Sequence, residues 1–243
     1  FAAFVAGLPA DGLAVLCADD ERARSLESPA RRITYGFGEH ADYRCGEGRP
    51  FAIHHEGREL GRVNLRQPGR HNVLNATGAA AMALELGVSF SVLAGALERF
   101  PGAHRRLEFI GVYQGAAVYD DYGHHPTKVR ATLQAARELR HRRLIVVFQP
   151  HRYSRLAALM HDFSRAFTGA DKVLVLDVYS AGEDNPTGVQ ASDLADQLPN
   201  GIYVGDFQGA RQALEGLVGP DDLLLLMGAG DIRKLGDELA QRV

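Results

Sequence analysis

From residue 116 onward the chain repeats one unit, a short apolar run, a polar turn and an amphipathic stretch. The runs are "AAVYDDY", "RLIVVFQ", "KVLVLDVY", "GIYVG" and "DLLLLMGAG". The intervening periodicity predicts helices over 127–140, 155–168, 191–198, 207–217 and 231–241. Most of these runs lack the in-out alternation of a half-exposed strand, so they suit strands covered on both faces. Strands of this kind separated by helices assemble as a parallel sheet between helical layers, a doubly wound α/β domain.

Ahead of it the texture differs. "GLAVLCADD" and "RRITYGF" read as strands, and residues 42–64 as strands and hairpins. Alanine and leucine predict a helix over 72–87, stopped by Gly87. A second helix is expected over 89–100, capped by Ser89 or Ser91 and ended by Pro101-Gly102. That pair is the expected boundary between a domain at 1–101 and another at 102–243.

In a doubly wound sheet, ligands bind beyond the carboxyl ends of the strands. The residues at the carboxyl end of each run are therefore informative. The first run ends in "DDYGHHP", the second in "QPHRYSR", the third in "DVYSAGEDNP" and the last in "GAGD". All four polar clusters are expected to line one crevice. His151, Arg152 and Arg155 bring up to three positive groups, suited to a carboxylate or phosphate. Asp120 and Asp121 can bind Mg²⁺ through water or a ribose hydroxyl, or simply cap a turn. Tyr122 can stack on a base or be a half-buried core residue. His124 and His125 lack a zinc frame, since adjacent histidines point apart, so an anion contact or a helix-start hydrogen bond is expected. Gly228-Ala229-Gly230 reads as a tight turn with Asp231 as a helix cap, a phosphate turn being the alternative. In the first domain "GRHNVLN" opens a helix, with Asn72 and Asn75 on one face. Their amides suit an adenine edge or an ordinary cap. "RHRR" (140–143) is expected to end a helix on a solvated face.

Charge and cysteine content narrow the partners. The 243 residues carry a formal net charge of −3, so no bulk field draws the chain to nucleic acid or an anionic membrane. No apolar run is long enough to span a bilayer. Cys17 and Cys45 fit neither a disulfide framework nor a metal motif, as expected of a cytoplasmic protein.

"GRHNVLNA", "RRLEFIG", "DDYGHHPT", "FQPHRYSR", "VYSAGE" and "MGAGDI" together resemble the Mur ligases of peptidoglycan synthesis, in order and over essentially the whole chain. The resemblance implies the remainder of a central ATPase-type α/β domain followed by a Rossmann-like C-terminal domain. It implies an ATP-dependent ligase, with Mg²⁺, in which the carboxylate of UDP-N-acetylmuramate becomes an acyl phosphate and the amine of L-alanine displaces phosphate. His71, Asn72 and Asn75 would then line the ATP site, Arg106 would reach the γ-phosphate, and Asp121 and Tyr122 would lie by the ribose and adenine. His124, His151, Arg152 and Arg155 would hold the muramyl substrate and the amino acid, with Arg106 and His124 as the catalytic pair. Another muramyl ligase, taking L-serine, glycine or a recycled peptide, and a non-catalytic nucleotide- or anion-binding module remain open. The family's UDP-binding domain and its G-x-x-G-K-T loop have no match here, so an amino-terminal part belonging to the same enzyme is expected to be missing. Lys128 stands where the family often has an acid, and Leu107 where it often has an aromatic residue.

Overall fold

The computed structural model describes residues 1–240 and divides into two compact units, Phe1–Pro101 and the chain from Gly102 on. The first unit contains α1 (Ala2–Ala6), β1 (Leu13–Cys17), α2 (Glu21–Arg24), β2 (Arg31–Gly36), β3 (Tyr43–Cys45), β4 (Phe51–His55), β5 (Arg58–Val63), α3 (Arg70–Glu85) and α4 (Phe90–Arg99). Its sheet runs β1-β2-β3-β4-β5, parallel as far as β3 and antiparallel after it. Helix α3 lies on this sheet through small residues: Ala76, Ala80 and Ala81 are buried. Gly78 faces the Tyr35 ring so closely that a Cβ would fall 2.8 Å from its Cζ. The helix begins at Arg70 rather than at residue 72, because Gly69 takes a positive φ of 105° that only glycine adopts cheaply and turns the chain into it. Ser89 precedes α4, but its hydroxyl meets Ser91 Oγ at 3.3 Å and caps nothing.

The second unit contains β6 (Glu108–Tyr113), β7 (Ala116–Asp121), α5 (Pro126–Arg137), β8 (Leu144–Phe148), α6 (Tyr153–Ser164), β9 (Lys172–Leu176), α7 (Ala191–Gln197), β10 (Gly201–Gly205), α8 (Phe207–Glu215), β11 (Leu223–Met227) and α9 (Arg233–Leu239). Its strand order is β10-β9-β8-β11-β7-β6, with every pair parallel except β6 with β7. Successive residues face opposite layers. Leu144, Val146 and Phe148 of β8 join Leu223 and Leu225 of β11 under α5, α6 and α7. Ile145 and Val147 join Leu224 and Leu226 under α8 and α9. Each such fully buried side chain contributes about 2 kcal/mol.

Strand β6 is one to which the sequence pattern assigns no element. Its residues are mostly half-exposed and it borders the sheet, so "LEFIGVY" lacks the unbroken apolar character that marks the other strands. Helix α5 ends at Arg137, three residues short of expectation, and α6 ends at Ser164. The expected helix over 231–241 runs past the described residues at Gln241. The "RHRR" segment lies beyond the end of α5, with Arg140 and Arg142 exposed as expected, but it also makes buried contacts. Arg142 Nε and Arg143 NH2 reach the buried Asp222 carboxylate at 3.1 and 2.6 Å, joining the starts of β8 and β11.

Candidate active site

Strand β8 lies one position away from β7, and β11 later fills the gap between them. The carboxyl ends of β7, β11, β8 and β9 therefore open on one edge of the sheet, where the crevice of such a fold lies.

At the end of β7 the two aspartates divide. Asp120 is fully buried and receives Arg105 Nε at 3.1 Å and Arg233 NH1 at 3.4 Å. Its Oδ1 has no partner among the described residues, and burial pushes the carboxyl pKa up despite the two arginines. Asp120 Oδ2 is thus committed to an ion pair with Arg105 and Arg233. Asp121 is also buried, and its oxygens accept from the backbone amides of Leu107 (2.9 Å) and Gly123 (2.7 Å). It holds the turn that carries Tyr122 and His124. His125 is the residue before α5; its Nδ1 accepts from the Thr127 amide at 3.4 Å, and Pro126 occupies the first helical position.

At the end of β8, His151 and Arg152 are tied to the loop after β9. The Tyr179 amide donates to the Pro150 carbonyl, and the Arg152 amide donates to the Tyr179 carbonyl, each at 2.9 Å. The His151 ring stacks on Tyr179 with centroids 5.5 Å apart. Arg152 adopts a positive φ of 73°, uncommon for a non-glycine residue and held here by these bonds. Glu183 accepts from Ser154 Oγ at 2.9 Å, from the Ser154 amide at 3.2 Å and from Arg152 NH1 at 3.3 Å. It thereby closes the start of α6, a part that sequence reasoning does not assign to it. Arg155 NH1 reaches His151 Nδ1 at 3.1 Å. His124 and His151 face each other with centroids 5.8 Å apart, and Tyr122 meets His124 edge-on at 5.3 Å. A continuous row of rings, Tyr122, His124, His151 and Tyr179, thus runs across the ends of β7, β8 and β9. Burial first, then nearby Arg155, pushes both histidine pKa values below the ordinary value.

At the end of β11, the Gly228–Gly230 turn packs against Gln149. A Cβ on Gly230 would fall 2.5 Å from Gln149 Oε1 and 2.6 Å from Tyr179 Cγ. The glycines are demanded by packing. Asp231 does not cap α9. Its Oδ1 accepts from Gln149 Nε2 at 2.9 Å, while Gln149 Oε1 accepts from the Ile232 amide at 3.1 Å. Arg105, next to the expected Arg106, donates to the Gly228 carbonyl at 2.7 Å. Arg106 itself is exposed, with its guanidinium 5.8 Å from the Tyr122 ring centre. Gln149, Tyr179 and Glu183, which sequence reasoning does not single out, all lie in its polar clusters. Only their partners across the sheet distinguish them.

In the first unit, His71, Asn72 and Asn75 occupy the first two turns of α3. Asn72 Nδ2 donates to the Pro68 carbonyl at 2.6 Å, Asn75 is exposed and His71 is half-buried. Among the described residues no three His, Cys, Asp or Glu side chains are grouped to hold a metal. Asp120 Oδ2 is taken by two arginines and both Asp121 oxygens by backbone amides, so this pair does not fit a magnesium ion. No described helix is long and apolar enough to cross a membrane.

The family model for the Mur ligase middle domain matches residues 1–83, and that for the Mur ligase, glutamate ligase domain matches residues 105–230. A UDP-N-acetylmuramate–L-alanine ligase of Solibacter usitatus is 40% identical, covering 100% of this chain and 54% of the relative. One of Desulfatibacillum aliphaticivorans is 42% identical, covering 100% and 56%. The solved UDP-N-acetylmuramate-alanine ligase of Thermotoga maritima superposes with a TM-score of 0.74 at 27% identity, covering 93% of this chain and 50% of that one. The chain spans about half the length of the curated relatives it matches.

Proposed function

Because the chain belongs to the Mur ligase family, we propose that it forms part of an ATP-dependent ligase joining L-alanine to UDP-N-acetylmuramate through an acyl phosphate. The observation that carries this is the convergence of His124, after β7, with His151, Arg152 and Arg155, after β8, at one sheet edge. Two arginines and two ring nitrogens in a half-buried crevice suit a substrate with a carboxylate and a reacting acyl group. The relatives that match along the whole chain bear the name of the L-alanine reaction, which supports L-alanine as the amine.

The residues then take these parts. Arg152 and Arg155 hold anionic groups of the muramyl substrate and the amino acid. Arg106, exposed and set against an aromatic face, supplies a guanidinium for the γ-phosphate of ATP. His71, Asn72 and Asn75 contact ATP from the start of α3, and Tyr122 stands by its adenine. Asp121, whose oxygens are already engaged, serves by fixing the Tyr122–His124 turn toward the nucleotide. Little covalent work falls to the protein, so positioning and charge compensation supply most of the rate. The remaining length of the relatives would supply the UDP-binding domain and the phosphate loop, and the reaction would run in the cytoplasm.

The test is a chimera in which this chain replaces the matching segment of the Solibacter usitatus relative. Phosphate release is followed with ATP, UDP-N-acetylmuramate and a panel of L-alanine, L-serine and glycine. Release that is fastest with L-alanine is expected. No release with any amine would remove the ligase reading, and a preference for glycine or serine would change the substrate. One methylene in the pocket is worth roughly 10–200-fold, so the panel can discriminate.

A further inference from the structure

The two crevice histidines are held in opposite protonation patterns. His124 Nδ1 lies 2.9 Å from the Tyr122 carbonyl oxygen. A carbonyl only accepts, so Nδ1 carries the proton and Nε2 of the neutral ring is a bare lone pair. His151 is the reverse. Its Nδ1 lies 3.1 Å from Arg155 NH1, and a guanidinium only donates. The lone pair is therefore at Nδ1 and the proton at Nε2. The same arginine nitrogen donates to the His151 carbonyl at 3.0 Å, which fixes the guanidinium in place.

The rings face each other at 5.8 Å, each steadied from behind: His124 by Tyr122 edge-on, His151 by Tyr179 stacked. The charged groups acting on His124 are Lys128 from α5 and Arg155 from α6, with His151 beside it. Those acting on His151 are Arg155 and Arg152, opposed by Glu183 from the loop after β9. Burial first, and then these positive groups, hold both histidine pKa values below the ordinary value.

We propose that the pair is directional in the ligation step: His124 Nε2 accepts the proton of the attacking amine, and His151 Nε2–H donates a hydrogen bond to the acyl oxygen. This rests on the ligase reading above. The amine lone pair forms the C–N bond to the acyl carbon, and the C=O π pair moves onto oxygen. The N–H bond of the new ammonium breaks, its pair stays on nitrogen, and the proton passes to His124 Nε2. The oxygen pair re-forms the carbonyl as the C–O bond to phosphate breaks and phosphate leaves with that pair. His124 then releases its proton to water. An ammonium on a tetrahedral carbon is more acidic than a free one, so a weakly basic imidazole suits this transfer. The hydrogen bond from His151 strengthens as the acyl oxygen gains charge.

Two measurements test it separately. In the ¹⁵N-labelled 243-residue chain at pH 7, long-range proton–nitrogen correlations should show His124 protonated on Nδ1 and His151 on Nε2, assigned with His124→Gln and His151→Gln. Either ring in the other tautomer overturns the pairing. In the chimera, His124→Asn keeps a donor for the Tyr122 carbonyl but removes the acceptor. Its kcat should fall about 100-fold with the KM for L-alanine little changed, and the acid limb of the kcat–pH profile should vanish. An unchanged kcat refutes the proton-acceptor role. His151→Gln, whose amide still donates, should retain far more activity than His151→Ala; equal losses refute the donor role. A wild-type chimera without activity removes the ligase reading and this step with it, while the tautomers in the chain stand or fall on their own spectrum.

Discussion

Asp222 illustrates how single side chains hold the sheet. It is buried, and although burial pushes its carboxyl pKa up, hydrogen bonds from Arg143, Arg142 and the Gly219 amide hold it well below the usual carboxylate range. A depressed folded pKa contributes stability that is present above the unfolded value, near 3.9, and is lost as pH falls through the folded one. Asp222→Asn should therefore lower stability at pH 7 by about 2 kcal/mol, the arginines being partly exposed, and lose less on acidification to pH 3 than the parent. Urea midpoints at the two pH values measure both. Glu183 is the second case. Glu183→Ala strips the start of α6 and frees Arg152. A loss of about 1 kcal/mol is expected, read from the same denaturation curves.

At the level of elements, the buried strands of the second unit are legible because each is apolar on both faces. Strand β6 is not, since an edge strand with one exposed face leaves only a weak alternation. Candidate residues are legible by class for a similar reason: polar clusters after apolar strands can only lie at one sheet edge. Their partners are not. Nothing in "DDYGHHPT" distinguishes Asp120, buried under Arg105 and Arg233, from Asp121, bound by two amides. That difference depends in part on Arg233, far along the chain. The Gly228–Gly230 turn makes the point testable. The sequence marks it as a tight turn with a helix cap; the turn is tight, but Asp231 serves Gln149. Gly228 has a positive φ of 159°, and a Cβ there would fall 2.8 Å from the Gln149 carbonyl oxygen, which is backbone and cannot yield. Gly228→Ala should cost about 1–3 kcal/mol, measurable by thermal unfolding. An unshifted midpoint would mean that the turn relaxes.

At the scale of the whole molecule, membership in the Mur ligases is legible from six motifs spread along the chain, and family matches to both units support it. What the chain does rests on the crevice of the second unit. Its cationic side is built by loops zipped together through Tyr179 and Glu183, so Arg152 is presented in one orientation. The most direct measurement is the dependence of phosphate release on L-alanine concentration in the chimera, comparing the parent with Arg152→Ala. The predicted result is a KM for L-alanine raised about tenfold or more, with the unfolding midpoint unchanged, because a charge-assisted contact is worth roughly 1.5–3 kcal/mol. An unchanged KM for both L-alanine and UDP-N-acetylmuramate would contradict the assignment of this crevice to substrate.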